Sequence, residues 1–132
     1  IRDKVLSGLP TLAECGGFMY LCSAIDGKKM AGVFKGESYN TGKLGRFGYI
    51  KMTAKVDSMI AEAGDTLLGH EFHYYDTDEN GTGFLCEKKN GKSWDAVHVS
   101  DTMYAGFPHF AFYSNIKYAE RFYKACLKEK QK

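Results

Sequence analysis

Apolar residues recur along this chain in two rhythms. In the closing stretch, SNIKYAERFYKACLKEKQK, residues Ile116, Ala119, Phe122, Tyr123, Cys126 and Leu127 fall on one stripe at helical spacing. Ser114 or Asn115 is placed to cap that helix, and the lysines of its last turn suit the negative end of the helix dipole. Near the start, GGFMYLCSAI (16–25) puts Phe18, Leu21, Cys22 and Ile25 on one face of a second helix. Residues 1–7 read as the last turns of a helix that ends at Ser7-Gly8, and residues 9–14 as a short buried strand. After a turn at Asp26-Gly27 the rhythm changes. MAGVF, GRFGYIKMTA and TLLGHEFHYY read as three strands, joined by loops at Lys35–Gly45 and Lys55–Asp65. TDENGTG is a turn cluster leading into FLCEKK, and Asn90-Gly91 signals a hairpin into SWDAVHV. TMYAGF and HFAFY are short extended pieces split by Pro108. The pattern predicts an α/β domain, a mixed β-sheet with flanking helices, and the 115–130 helix packed against the sheet. No internal repeat or low-complexity segment interrupts it.

The 132 residues, 44% hydrophobic and 14% aromatic, suit one globular domain with a substantial core. A formal charge of +2 with scattered lysines gives neither a nucleic-acid stripe nor a membrane-binding basic helix. The longest apolar runs are too short to span a bilayer, and no secretory signal opens the chain. The cysteines are Cys15, Cys22, Cys86 and Cys126, with no C-x-x-C pair. Neither a zinc site nor a disulfide framework is expected, and four reduced thiols fit a cytoplasmic protein. The opening IRDKVLSGLP, without Met, suggests a cut made inside a larger protein.

One cysteine stands out by its neighbours. Ala13-Glu14-Cys15-Gly16-Gly17 follows the small-x-nucleophile-x-small pattern of a strained strand-to-helix turn. Such a turn exposes the thiol at a sheet edge and sets it at a helix N-terminus, whose dipole lowers a thiol pKa. It also lets the Gly16 N–H point at an oxyanion. The alternative is a plain turn holding a buried cysteine. A nucleophilic thiol needs a base. Of His70, His73, His98 and His109, the last lies downstream in AGFPHFAFYSN, on a loop-to-strand junction that can reach back over a sheet edge. His98, between Val97 and Val99, reads as a surface strand residue. His70 and His73 fall on opposite faces of a strand, so they form no metal pair. Alternation there puts His70, Phe72 and Tyr74 on one face and Glu71, His73 and Tyr75 on the other. One of these faces is expected beside Cys15, with Glu71 and His73 as supporting or substrate-contact residues. A core strand with satisfied polar groups is the alternative.

PTLAECGGFMYL, GRFGYIKMTA, LLGHEFHYY and HFAFYSN, in this order and spacing, resemble the glutaminase domain of the cobyrinic acid a,c-diamide synthases, a branch of the class I (flavodoxin-like) glutamine amidotransferases. The resemblance runs over nearly the whole chain. It implies that Cys15 attacks the amide of glutamine and that His109 is its base, with Gly16 and Gly17 forming the elbow. Many class I glutaminases carry a glutamate two residues after the histidine. Ala111 stands there, so a Cys15–His109 dyad is implied, with Glu71 or a backbone carbonyl to orient the imidazole. The resemblance further implies that residues 1–132 are the C-terminal part of one glutaminase domain, without its second oxyanion donor and so poorly active alone. An N-terminal amide-ligase domain in cis, using ATP and magnesium, would amidate the a and c carboxylates of the corrin substrate. No G-x-x-x-x-G-K-[ST] phosphate loop occurs in the chain. No cofactor is expected in these residues, and a homodimer is allowed. A related synthase acting on another tetrapyrrole, such as nickel-sirohydrochlorin, a cysteine hydrolase or peptidase sharing the elbow, and a catalytically silent glutaminase-like module are the alternatives.

Overall fold

A computed structural model describes residues 1–131. Along the chain, α1 (Arg2–Leu6) leads to β1 (Thr11–Glu14), and Cys15 turns the chain into α2 (Gly16–Leu21). The strands β2 (Ala24–Ile25), β3 (Lys28–Lys29), β4 (Glu37–Asn40), β5 (Arg46–Ala54), β6 (Thr66–His73) and β7 (Tyr75–Thr77) follow. Next come β8 (Phe84–Glu87), β9 (Ser93–Ala96), β10 (His98–Ser100), β11 (Met103–Gly106) and β12 (His109–Phe110). A 3-10 turn (Phe112–Ser114) and α3 (Lys117–Lys130) complete the order.

Among the described residues the strands form three sheets. The largest is antiparallel, β12-β6-β5-β8-β9. A three-stranded sheet, β1-β11-β10, holds β1 parallel to β11 and β10 antiparallel to it. The third, β3-β2-β4-β7, is also mixed. The mixed α/β class is therefore present, although the expected sheet is divided among three.

Alternation in β6 follows the pleat. Leu67, Gly69, Glu71 and His73 are buried, while Leu68, His70 and Phe72 face outward. This inner face and that of β5 contribute Leu67, Ile50, Met52 and Ala54 to the main core, beside Phe84, Tyr104 and Tyr118. A second core beneath the elbow gathers Val5, Ala13, Phe18, Leu21, Cys22, Ala105 and Phe107.

Three local expectations change. The helix at 16–25 ends at Leu21, because the carbonyls of its last turn are taken from outside. Ala31 N–H donates to Tyr20 O, Gly32 N–H to Cys22 O, and Val33 and Phe34 N–H to Leu21 O. The same bonds keep MAGVF out of any sheet, and the neighbouring strand forms instead at Glu37–Asn40, inside the expected 35–45 loop. The 55–65 stretch is a loop as expected, and its Met59, Ile60 and Ala61 are buried in the main core.

The face of α3 is rotated from the expected stripe. Tyr118 is buried with its hydroxyl donating to Thr66 O, and Phe122 and Ala125 pack behind it. Lys117 and Arg121 on that face reach Asp65 and Glu62 at 3.2 and 2.9 Å. These contacts turn Ile116, Tyr123 and Leu127 toward solvent. Asn115 supports the helix start by accepting the Lys117 N–H at 3.1 Å. Among the described residues, no helix is long and apolar enough to cross a membrane.

Candidate active site

The strand-to-helix turn holds Cys15 at φ 48° and ψ −107°, in left-handed space that a residue with a Cβ adopts only at a cost. Both sides of the turn are pinned. The Cys15 N–H donates to Gly106 O at 2.8 Å, extending the β1–β11 ladder, and Cys15 O accepts the Met19 N–H at 2.9 Å, opening α2. An added Cβ at Gly17 would lie 3.7 Å from that of Ala13, an ordinary contact, so packing alone does not require glycine there. A Cβ at Gly16 would meet nothing within 4 Å, and the Gly16 N–H is directed at the Cys15 thiol.

The thiol is not a ready thiolate. Burial pushes the Cys15 pKa up, hydrogen bonding from the Gly16 N–H pulls it down, and the charges of Glu14 and Glu71 add to the rise. The expected lowering by the helix dipole is outweighed, since α2 has only six residues and the sulfur is partly desolvated. Any nucleophilic role for Cys15 therefore depends on a base.

The chain path brings His109 to this end of β1. Gly106 pairs with Glu14 in the β1–β11 ladder, and Phe107-Pro108 then carry the chain directly to β12. There His109 pairs with His70 of β6, and the two imidazoles stack at 5.0 Å with a 15° interplanar angle. The His109 ring is one-third exposed. Its Nδ1 lies 2.9 Å from Glu14 Oε2, while Glu14 Oε1 accepts the Phe110 N–H at 3.2 Å. The carboxylate that meets the imidazole is thus Glu14, not Glu71. Sequence reading missed it because the pair is 95 residues apart. The available signal was a lone acidic residue ending the otherwise uncharged strand TLAE.

Glu71 and His73 lie on the buried side of β6. Glu71 Oε1 is 3.6 Å from His73 Nε2 and 4.0 Å from Arg46 Nη1, near enough to pair by charge but beyond hydrogen-bond reach. Among the described residues neither Glu71 oxygen has a hydrogen-bond partner, nor do Arg46 Nη1 and His73 Nε2. His73 is fixed by its other side: Nδ1 meets Tyr75 O at 2.6 Å, and the ring stacks on Phe107 at 4.2 Å. Arg46 lies over the Trp94 ring at 5.2 Å. Glu71 acts on the thiol through its charge, and its carboxylate is sealed from solvent.

His98 is more enclosed than a surface strand residue. Its ring stacks on Phe34 at 4.1 Å and its Nε2 meets Glu79 O at 2.7 Å, so it serves the core below α2. Among the described residues, no group of three His, Cys, Asp or Glu side chains is placed to hold a metal ion. A concavity of about 670 Å³ on the outer face of β5 is lined by Phe47, Tyr49, Lys51 and Lys88 among others, with no cysteine, serine or histidine in its lining.

Residues 1–117 match the CobB/CobQ-like glutamine amidotransferase domain family. Individual relatives agree. The chain is 32% identical over 96% of its length to a cobyrinate a,c-diamide synthase of Caldanaerobacter subterraneus subsp. tengcongensis, and 38% identical over 91% to one of Fusobacterium nucleatum subsp. nucleatum. A third, from Clostridium acetobutylicum, is 34% identical over 89%. The chain spans only 28–30% of the length of these curated relatives.

Proposed function

The chain belongs to the CobB/CobQ-like glutamine amidotransferase family, and from that premise we propose that it is the glutaminase part of a glutamine-hydrolysing, ATP-dependent amide ligase of the cobyrinate a,c-diamide synthase type. Its residues would be the C-terminal part of one glutaminase domain. Glutamine is the nitrogen donor, and the remainder of the longer protein is its partner in cis.

In the proposed reaction the Cys15 sulfur attacks the side-chain carbonyl carbon of glutamine, and the thiol proton passes to His109. The C–N bond breaks as His109 returns the proton to the leaving nitrogen, so ammonia departs and a glutamyl thioester remains on Cys15. Water then gives its proton to His109, attacks the thioester, and releases glutamate as the thiol re-forms. The Gly16 N–H, the first backbone donor after the nucleophile and already directed at its sulfur, donates to the oxyanion in both steps. The single observation that carries this reading is Cys15 at φ 48° on the elbow, with a part-exposed imidazole delivered to the same strand end by β12.

The ammonia would be consumed outside these residues, where ATP and magnesium activate the a and c carboxylates of cobyrinic acid, a step of cobalamin biosynthesis. Glu71 and His73 would form the buried layer behind the nucleophile rather than touch glutamine, since Glu71 is sealed from solvent. The test uses the full-length enzyme. Cys15→Ala and His109→Ala should abolish amidation with glutamine while retaining amidation with ammonium. Loss with both nitrogen sources in a folded variant would refute a dedicated glutaminase role.

A further inference from the structure

Apart from the stack of its ring on His70, His109 has little packing to hold it. It sits on a two-residue strand at the edge of the main sheet, and its ring is one-third exposed. The position two residues on is Ala111, which offers no side-chain acceptor. The ring nevertheless has a defined partner. Glu14 uses one oxygen on Nδ1 at 2.9 Å and the other on the Phe110 N–H at 3.2 Å, so one carboxylate grips both the imidazole and its strand. Because Glu14 directly precedes Cys15, the nucleophile and this grip share one rigid strand end, locked to β11 through the Glu14–Gly106 pairing.

We infer that Glu14 is the positioning residue of the catalytic unit: a carboxylate from the nucleophile's own strand fixes the orientation and tautomer of His109. This rests on the glutaminase reading above. A carboxylate oxygen only accepts, so the facing Nδ1 must carry a hydrogen, which leaves the Nε2 lone pair free to take the thiol proton. The placement also has a cost that identifies its purpose. A negative charge next to Cys15 disfavours the resting thiolate. It favours the state after proton transfer, in which the imidazolium is positive and adjacent. A carboxylate kept only as a strap between β1 and β12 would need no such ring contact.

The experiment compares wild-type full-length enzyme with Glu14→Gln, Glu14→Asp and Cys15→Ala. Glutamine retains an oxygen for the Phe110 N–H and nearly the same shape, so a strap survives it. The positioning role does not. Glu14→Gln should lower kcat for glutamine hydrolysis by up to about 10²–10⁴-fold, the contribution of general acid–base catalysis that a mispositioned base forfeits, with KM for glutamine unchanged. Glu14→Asp should recover part of that loss. Nitrogen-15 NMR of the imidazole supplies a readout independent of activity: His109 should be the Nδ1–H tautomer in the wild type and lose that preference in Glu14→Gln. Wild-type kcat in Glu14→Gln, or an unchanged His109 spectrum, overturns the inference. Retained glutamine hydrolysis in Cys15→Ala instead overturns the glutaminase reading, and the NMR comparison still reports separately whether Glu14 sets the tautomer.

Discussion

Replacing Gly69 with alanine should inactivate the site through its backbone alone. Gly69 lies on the buried face of β6, opposite Phe110 in the β6–β12 ladder. An added Cβ would overlap the His109 carbonyl oxygen, sit 3.3 Å from the His109 carbonyl carbon, and approach Met52 Sδ to 3.0 Å. Met52 is fully buried, whereas β12 is a two-residue edge strand, so β12 is the element that gives. Restoring an ordinary contact requires a shift of about 1 Å, a misplacement that can cost about 10²-fold in rate when it moves a catalytic group. The same overpacking should cost about 1–3 kcal/mol of stability. The assay is glutamine hydrolysis by the full-length enzyme, with thermal unfolding and ammonium-dependent amidation measured in parallel. Gly91→Ala is the control. Gly91 has φ +85° but open space around it, on the remote 88–92 hairpin, so its substitution should lower stability and leave kcat unchanged. A folded Gly69→Ala enzyme with wild-type glutaminase kcat would refute the reasoning.

Two further outcomes follow from charge and burial. Glu71→Gln removes a negative charge that raises the Cys15 pKa, so the pH profile of Cys15 alkylation by iodoacetamide should move to lower pH; a shift to higher pH, or none, would contradict the buried arrangement. Burial pushes the Cys86 thiol up to about 12, with the charge of Glu71 adding to it, whereas the unfolded chain titrates near about 8.5. The folded state therefore holds its proton longer. Stability is fully present below the unfolded value and falls as pH rises toward 12, and buried Tyr104, also raised, steepens the fall. Urea unfolding across that window should show the decline, and Cys86→Ala should make it shallower.

What could be read in advance was what is local. The elbow at Cys15 is legible because the small-x-nucleophile-x-small pattern is written within five positions. The two faces of β6 are legible because one face is buried, so period-2 alternation fixes Glu71 and His73 inward and His70 outward. What escaped depends on partners distant in sequence. The polar segment ESYN has no apolar signature, and becomes β4 by pairing with β2 and β7. MAGVF looks like a strand, yet spends its N–H groups on the end of α2. The rotation of α3 is set by Glu62 and Asp65, which pair with Lys117 and Arg121 across more than fifty residues. The Glu14–His109 contact belongs to the same class. Val97 adds a case of strain. It is buried at φ +73° between β9 and β10, where added Cβ atoms at Gly81, Gly83 and Gly106 would press on it, and it divides what reads as one strand, SWDAVHV.

The central claim is that Cys15, and no other thiol of this chain, carries the glutamyl group. The direct measurement is peptide mass spectrometry of full-length enzyme mixed with glutamine and quenched in acid during turnover, with cysteine-containing peptides searched for a glutamyl thioester. The adduct should lie on Cys15, be absent from Cys22, Cys86 and Cys126, and disappear when ammonium replaces glutamine. A glutamyl adduct on any of those three cysteines, or sustained glutamine hydrolysis by Cys15→Ala, would contradict the account.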